Sequence, residues 1–232
     1  QPGEHVLDLA SGTGEPALSL AAAVGPSGRV VATDPAPNML AGLRRRADAA
    51  GHRHVEAHLA DMQDLPFDDD SFDRVTCRFG IMFVPDAARA FAEVRRVLRP
   101  GGQAAFLVWG PQADNAVLGT VVDWGMAHFG ITEAARYRAP FGYGTPGRLA
   151  AAMTQGGLSA AEEREIRFTP EVDAGVPFWR PPMGITFGPE VEALDDAGSA
   201  AADAALKAAF ERFRDGAAYR LPMHVRIGVA RA

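Results

Sequence analysis

The sequence predicts an α/β protein built on a doubly wound sheet, and two observations support this prediction. Over the first 110 residues, short apolar runs alternate with longer segments of helical periodicity, and glycine or proline separates them. Strands joined by helices pair in parallel through right-handed crossovers, which puts helices on both faces of the sheet. The second observation is a glycine-rich loop directly after the first strand, because such sheets bind ligands at the carboxyl ends of their strands.

The elements of this first part follow from local patterns. Each predicted strand is an apolar run bounded by turn residues: 5–10, 29–33, 54–59, 72–78 and 103–109. The predicted helices are 15–24, 37–50 and 86–98. Gly25 ends the first helix and Pro100 with the two following glycines ends the third. Five strands alternating with helices therefore form the predicted sheet.

After Trp109 the periodicity weakens. Helices are predicted at 116–129, 147–156 and 192–214, and strands at 162–169 and 223–230. Residues 137–146 have the composition of a loop, and 170–190 are rich in proline and aromatic residues. The chain has no internal repeat and no long linker, so we expect one domain over 1–232, with a core of 1–110 and an inserted cap drawn from 111–147 and 171–218.

Composition excludes several classes of protein. Apolar residues are 47% and charged residues 22% of the chain, which are values of a globular protein. The net charge of −6 argues against nucleic acid as a partner, because it repels a phosphate backbone. A single cysteine can form neither an internal disulfide nor a cysteine-rich metal site. With no long apolar stretch and no signal-like start, we expect no membrane span and a cytoplasmic protein; the sequence leaves the oligomeric state open.

The glycine loop carries the strongest functional signal. Gly12 and Gly14 let the backbone approach a ligand closely. Asp34, twenty residues beyond Gly14, has the spacing of an acidic residue that accepts hydrogen bonds from ribose hydroxyls. The run from Gly12 to Ala17 also fits the dinucleotide fingerprint, so the loop alone leaves an NAD(P)-dependent oxidoreductase open as an alternative.

Other side chains favour a different cofactor. Asp8 stands before the glycines, where a carboxylate suits an ammonium group and gains nothing from a pyrophosphate. Asp61 and Met62 follow the third strand and offer an acceptor for an exocyclic amine and an apolar contact for an adenine face.

Taken with these features, the chain resembles the class I S-adenosylmethionine-dependent methyltransferases, and within them the ubiquinone/menaquinone C-methyltransferase-like group. The resemblance rests on segments in the right order and spacing: 6–14, 32–34, 60–67, 72–75, 79–81 and 94–102. It implies the Rossmann-like methyltransferase fold, a doubly wound, mostly parallel seven-stranded sheet whose last strand is antiparallel. It also implies S-adenosyl-L-methionine as cofactor, S-adenosyl-L-homocysteine as product, and a small, largely apolar acceptor methylated by in-line displacement.

The resemblance assigns roles to individual residues. The glycine loop would carry the methionine part, Asp34 the ribose, and Asp61 with Met62 the adenine, while Cys77 and Arg78 end the fourth strand beside the methionine carboxylate. The predicted cofactor-binding residues are Asp8, Ala10, Ser11, Gly12, Gly14, Asp34, Pro35, Met39, Asp61, Met62, Cys77 and Arg78.

Two positions depart from the family pattern. Ala10 replaces the first glycine of the common loop, a frequent variant that should be tolerated if its φ is negative. Met82 and Phe83 follow Phe-Gly-Ile where the quinone-type enzymes carry an Arg-Asn pair, which indicates a more apolar pocket than a quinone precursor requires.

Candidates for the acceptor pocket are the apolar residues Met82, Phe83, Phe178 and Trp179; the cap aromatics are alternatively core residues. His128 and Tyr143 are weak candidates for a general base. Cys77 is interpreted as a small buried residue, and the histidines at 52, 54 and 58 as surface residues, so no metal site is expected. A non-catalytic cofactor-binding scaffold is the second alternative.

Overall fold

The computed structural model describes residues 1–232, and its regular elements alternate as predicted over the first part of the chain. The strands are β1 (His5–Leu9), β2 (Arg29–Asp34), β3 (Val55–Leu59), β4 (Phe72–Arg78), β5 (Leu98–Trp109), β6 (Ser159–Phe168), β7 (Glu171–Asp173), β8 (Arg214–Asp215), β9 (Ala218–Arg220) and β10 (Met223–Arg231). The α-helices are α1 (Ala17–Val24), α2 (Pro37–Ala49), α3 (Ala87–Val97), α4 (Ala116–His128), α5 (Ala135–Arg138), α6 (Arg148–Gln155), α7 (Arg180–Thr186), α8 (Gly188–Glu192) and α9 (Asp196–Phe210).

Seven strands form the main sheet in the order β3-β2-β1-β4-β5-β10-β6, and the last strand is antiparallel, which confirms the predicted fold class. β1 pairs in parallel with both β2 and β4, so that Leu7 lies opposite Val31 on one side and Val75 on the other. The chain runs outward from β1 to β3 and then returns to β4. This reversal puts a topological switch point at the carboxyl ends of β1 and β4, where sheets of this kind bind ligands.

The chain divides into two compact units. Unit 1 comprises 1–108, 145–164 and 226–232, and unit 2 comprises 109–144 and 165–225. The segments predicted as a cap, 111–147 and 171–218, overlap unit 2 with boundaries that differ by up to seven residues. The organisation as one domain stays a prediction.

The core of unit 1 forms because its central strands are apolar on both faces. Val6, Leu7 and Leu9 of β1 are almost fully buried, as expected for a parallel strand covered by helices on both sides. Asp86 caps the N-terminus of the amphipathic helix α3, since its carboxylate accepts a hydrogen bond from the Arg89 N–H at 3.0 Å. The buried face of α3 includes Phe91, whose ring meets that of Phe106 edge-on with the centroids 4.8 Å apart.

A buried ion pair joins separate parts of unit 1. The carboxylate of Glu163 accepts hydrogen bonds from the Arg226 guanidinium at 2.9 Å and from the Gly147 N–H at 3.1 Å. Its second oxygen accepts from Leu149 and Ala150, so that one carboxylate satisfies the free N–H groups at the start of α6. Both side chains of the ion pair are at most 7% exposed.

Unit 2 combines α4, α7 and α9 with a small antiparallel sheet in the order β7-β9-β8. Its core is largely aromatic: Trp179, Phe187, Phe210 and Tyr219 are buried. Residues 137–146, predicted as a loop, contain the end of α5 and a 3₁₀ turn (Ala139–Phe141). The helix predicted at 192–214 begins only at Asp196, because the Asp195 side chain caps it through the Gly198 N–H. No helix in the structure is long and apolar enough to cross a membrane.

We expect Glu163→Gln to lower the free energy of unfolding by about 3–5 kcal/mol, because it removes the buried carboxylate that pairs with the Arg226 guanidinium and caps α6. The matched control is Glu162→Gln, whose side chain is 70% exposed and which should change stability little. Denaturant unfolding of both variants measures the difference. A double variant, Glu163→Gln with Arg226→Met, should recover part of the loss; equal stability of the two single variants would contradict the assignment.

Candidate functional site

The glycine loop lies between β1 and α1 at the switch point. Gly12 and Gly14 have φ values of +54° and +114°, which residues other than glycine rarely adopt. No atom lies within 4 Å of the position that a Cβ on Gly12 would take, whereas a Cβ on Gly14 would stand 3.1 Å from the Leu18 side chain. Gly12 therefore faces open space that a ligand can enter, and Gly14 is needed for packing.

Ala10 has a φ of +51°, so the condition of a negative φ, under which alanine fits without strain, is not met. The chain turns sharply where β1 ends, and it does so through a residue in the left-handed conformation. For alanine this conformation costs about 1–2 kcal/mol of conformational free energy. Phe79, directly after β4, also lies in this region, with φ +60°. Two strained residues thus flank the switch point, a pattern typical of functional sites.

The φ of Gly80 is −98°, which suits any residue, so the backbone conformation does not require glycine there. The available space does. A Cβ added there would lie 2.4 Å from the Cβ of Ala10, 2.9 Å from the Sγ of Cys77 and 3.3 Å from the Cε of Met62. The ends of β1 and β4 and the loop after β3 therefore converge on this one glycine.

Asp8 is fully buried at the end of β1. The Thr76 hydroxyl donates a hydrogen bond to its Oδ1 at 2.6 Å, while its Oδ2 is buried with no hydrogen-bond partner. Burial raises the pKa of Asp8 to about 6, although the hydroxyls of Thr76 and Ser11, the Ala17 N–H and the Arg78 charge act in the opposite direction. A buried carboxylate oxygen without a donor costs free energy, so this position fits a ligand that brings a positively charged donor.

Asp34 ends β2 and is also buried. Its Oδ2 accepts from the Gly12 N–H and its Oδ1 from the Ala36 N–H, both at 2.9 Å. The carboxylate therefore fixes the glycine loop, a role that the sequence did not indicate. An ionised carboxylate has about four acceptor positions, which leaves room for hydroxyl groups of a ligand. The neighbouring Pro35 is exposed and Met39 is half-buried in α2.

The loop after β3 carries Asp61 and Met62. The Asp61 carboxylate is exposed and accepts hydrogen bonds from the backbone and side-chain amides of Gln63, and Met62 is buried. Further along, Glu93 accepts from the Leu65 N–H at 2.8 Å, and Arg96 donates to the Leu65 carbonyl at 3.0 Å. The Arg96 guanidinium also holds the pKa of Glu93 below its usual value. α3 thereby fixes this loop, which sequence reasoning missed because the partners lie about 30 residues apart.

The end of β4 holds Cys77 and Arg78. Cys77 is buried, and burial together with the nearby Asp8 charge raises the pKa of its thiol to about 12. The thiol is therefore protonated near neutral pH, in agreement with the interpretation as a buried residue rather than a nucleophile. The Arg78 guanidinium lies 5.7 Å from the centroid of the Phe79 ring. In the following turn Met82 is buried and Phe83 is 59% exposed.

Two candidates for the acceptor pocket belong to the core of unit 2 instead. Trp179 is 4% exposed, stacks on Phe210 with centroids 5.9 Å apart, and donates its indole N–H to Asp203 at 2.9 Å. Phe178 meets Trp179 edge-on at 5.1 Å and is part of the same packing. The structure therefore favours the alternative that these cap aromatics are core, since Trp179 is buried and both side chains pack against Phe210.

The weak candidates for a general base differ in setting. His128 is exposed at the end of α4, where its ring stacks on Trp124 at 4.5 Å and no hydrogen bond orients it, which is the setting of a surface residue. Tyr143 is half-buried. Sequence reasoning missed a buried histidine with a carboxylate partner: the Nδ1 of His224 lies 2.9 Å from Asp114. A separation of 110 residues leaves no signal of this pair in the sequence.

No group of three or more metal-ligating side chains comes together in the structure. Of the histidine cluster, the Nε2 of His54 bonds to the Ala21 carbonyl at 2.9 Å and the Nε2 of His58 lies 3.3 Å from Glu56.

We expect Ala10→Gly to keep or raise the free energy of unfolding, by up to about 1 kcal/mol, because relief of the left-handed strain outweighs the flexibility that glycine adds to the unfolded chain. Gly80→Ala should destabilise the protein through its clash with Ala10. The clash is smaller when position 10 is glycine, so Gly80→Ala should cost less in the Ala10→Gly background. A double-mutant cycle measured by denaturant unfolding tests the coupling; additive effects would contradict the contact.

Comparisons with known proteins concern the first part of the chain and the fold. Residues 6–102 match the family model of a methyltransferase domain. A demethylmenaquinone methyltransferase of Bacillus cereus is 39% identical over 107 residues, which are 46% of this chain and 45% of that protein. The chain thus spans about half the length of the curated relatives that it matches.

Solved structures extend the comparison to the whole chain at the level of fold. A candidate methyltransferase from Bacillus halodurans superposes on 100% of this chain and 93% of its own, with a TM-score of 0.64 and 22% identity. A phosphoethanolamine N-methyltransferase of Haemonchus contortus, solved with S-adenosylhomocysteine, covers 100% of this chain and 49% of its own, with a TM-score of 0.62 and 16% identity. Over residues 6–102 the chain is similar to a methyltransferase domain, and over its full length it has the Rossmann-like fold of these solved methyltransferase structures.

Proposed function

We propose that this protein transfers the methyl group of S-adenosylmethionine to a small, largely apolar acceptor. The observation that carries the proposal is the buried Asp8 carboxylate, whose Oδ2 has no donor and which stands at the base of the glycine loop. When bound, S-adenosylmethionine supplies an electrophilic sulfonium methyl group. Its amino-acid ammonium group has the charge and the N–H donors that the free Asp8 oxygen needs.

The remaining cofactor residues fit the other parts of the same molecule. Asp34 would accept hydrogen bonds from the ribose hydroxyls while it holds the Gly12 N–H. Asp61 would accept from the adenine amino group, and Met62 would contact the ring. Arg78 has the charge to hold a carboxylate at the end of β4. Ala10, Ser11, Gly14, Pro35, Met39 and Cys77 would shape the cradle around these groups.

Catalysis in this proposal depends on alignment more than on acid–base chemistry. A sulfonium methyl group is already reactive, so the chain needs to orient the acceptor in line with it and to exclude water, which accounts for several kcal/mol of the barrier in such reactions. Cys77 does not take part as a nucleophile, because its thiol stays protonated. Phe83, with its exposed ring after β4, is the best candidate to contact the acceptor, and Met82 would support it.

The acceptor class rests on Met82 and Phe83 together with the names of the relatives. The curated relatives are demethylmenaquinone methyltransferases, whose acceptor is a largely apolar molecule. The match to them covers less than half of either chain, and Met82 with Phe83 replaces the polar pair of quinone-type enzymes. We therefore propose an apolar small molecule without naming it.

Thermal unfolding with different cofactors tests the proposal. S-adenosylhomocysteine should raise the melting temperature by mass action, and NAD and NADP should not, because the Asp8 charge opposes a pyrophosphate at the loop. Asp34→Ala should weaken S-adenosylhomocysteine binding by roughly 10- to 150-fold, because it removes a charge-assisted hydrogen bond whose free energy of about 1.5–3 kcal/mol corresponds to that change in affinity. The control Asp48→Ala removes an exposed carboxylate on α2 and should bind normally.

The outcome that overturns the cofactor assignment is stabilisation by NAD or NADP alone. Binding of S-adenosylhomocysteine without turnover would favour the non-catalytic scaffold. Turnover is measured with labelled S-adenosylmethionine and a panel of apolar acceptors, and mass spectrometry locates the transferred methyl group.

Asp8→Asn should separate stability from binding. Because the folded pKa of about 6 lies above the unfolded value of 3.8, the folded protein holds more protons between these values and loses stability as the pH rises through them. We therefore expect Asp8→Asn to stabilise the ligand-free protein by about 2–3 kcal/mol at pH 7.5, and the gain to vanish below pH 4. The same variant should bind S-adenosylhomocysteine at least about tenfold more weakly. Unfolding curves at several pH values and calorimetric titration measure both effects; unchanged binding would remove Asp8 from the cofactor site.

A further inference from the structure

A cavity lies entirely within unit 2, apart from the candidate cofactor site, and none of the predicted cofactor-binding residues line it. Its volume is about 360 Å³, and α4 and the chain on either side of it form much of its wall. The polar side chains that line it are Gln112, Asn115, Thr120, Asp123, Arg138 and Arg212, and its apolar wall includes Phe213. A volume of this size falls at the lower end of the range of small-molecule sites.

Two guanidinium groups of this cavity lack carboxylate partners. Arg212 donates a hydrogen bond to the Thr120 hydroxyl at 2.9 Å, and its guanidinium carbon lies 4.7 Å from the centroid of the Phe213 ring. Arg138 forms neither an ion pair nor a side-chain hydrogen bond in the structure. By contrast, other arginines of this acidic chain, such as Arg96 and Arg226, pair with a carboxylate.

The one acidic side chain of the cavity does not neutralise these arginines. Asp123 accepts a hydrogen bond from the Gln112 side-chain amide at 2.7 Å and pairs with neither guanidinium. Two arginines and one aspartate leave the cavity with a net charge of about +1, in a protein whose net charge is −6. The charge of the cavity is therefore opposite to that of the whole chain and matches one negative charge on a ligand.

The donors of the cavity define the chemistry of that ligand. A guanidinium binds a carboxylate through two parallel hydrogen bonds, and the contacts of Arg212 with Thr120 and Phe213 hold its planar group in one orientation. Thr120 accepts from Arg212 and keeps its own O–H as a further donor. The apolar part of the wall, with Phe213 and Ala113, suits a hydrocarbon group attached to the carboxylate.

We propose that this cavity binds a small monoanionic carboxylate that carries an apolar group, held by Arg138 and Arg212. The inference goes beyond methyl transfer and does not rest on it, because it uses only residues of unit 2 and no property of the glycine loop. Phosphate monoesters offer oxygen acceptors to the same guanidiniums, but their charge of nearly −2 exceeds that of the site and would bring repulsion from Asp123.

Direct binding to the full chain tests the proposal, with benzoate as the probe and benzyl alcohol and phenyl phosphate as comparisons. Titrations are followed by amide chemical shifts in two-dimensional NMR spectra. Benzoate should shift resonances of Thr120 and Phe213 in a saturable way, benzyl alcohol should bind much more weakly, and phenyl phosphate should bind no better than benzoate. Because both arginines reach solvent, affinity should fall as salt is added.

Four variants give the test its controls. Arg212→Gln and Arg138→Gln should each weaken benzoate binding by about tenfold or more, and Ala113→Phe, at an exposed position of the cavity wall, should block it. Arg148→Gln, an exposed arginine of α6 in unit 1, is the matched control and should bind benzoate like the unaltered protein. Since all four positions are exposed, melting temperatures should stay close to that of the unaltered protein.

Several results would overturn the proposal. They are no saturable benzoate binding in the millimolar range, equal binding of benzyl alcohol, or benzoate binding that survives both arginine substitutions in folded protein. Tighter binding of phenyl phosphate than of benzoate would overturn the carboxylate assignment in favour of a phosphate ligand. None of these outcomes depends on whether S-adenosylhomocysteine binds, so failure here and failure of the proposed methyl transfer are distinguishable.

Discussion

The geometry of the candidate site depends on how closely β1 and β4 end beside each other. Both strands leave the sheet through left-handed residues, Ala10 and Phe79, and the space between them is so small that position 80 has no room for a Cβ. This packing keeps Asp8 away from water and keeps the glycine loop open above Gly12. The cost of two strained residues and one unpaired carboxylate oxygen is tolerated because the surrounding strands are buried on both faces and cannot relax.

Hydrogen bonds that cross between elements make the site rigid before any ligand arrives. Asp34 joins the end of β2 to the glycine loop, and Glu93 with Arg96 joins α3 to the loop after β3. Each of these side chains bonds to backbone groups, which have fewer conformations than side chains. A ligand that enters such a site loses less free energy in ordering the protein, and this preorganisation is what alignment of two reactants requires.

Sequence periodicity predicted most of unit 1, because its strands are continuously apolar and its helices have one apolar face. The start of β5 was missed: Pro100, Gly101 and Gly102 have the composition of a turn, yet the strand runs from Leu98 and accommodates them in an irregularity of its pairing with β4. The three-residue strands of unit 2 have no detectable period. The motifs of the candidate site could be predicted because the residues within each motif are close in sequence. Trp179, Arg212 and His224 acquire their settings from distant partners, which no local pattern records.

The unpaired oxygen of Asp8 has a consequence for the thermodynamics of ligand binding. In the ligand-free protein the carboxyl group titrates near pH 6, since burial disfavours its charge. A cationic group placed against Oδ2 stabilises the ionised form and moves that titration to lower pH. Around pH 6, occupancy of the site is then accompanied by release of part of a proton, while at pH 8 the group is already ionised and no proton moves. For a ligand whose cationic group lies against Oδ2, affinity and proton concentration are linked through this one side chain, so an acidic environment lowers the fraction of protein that binds such a ligand.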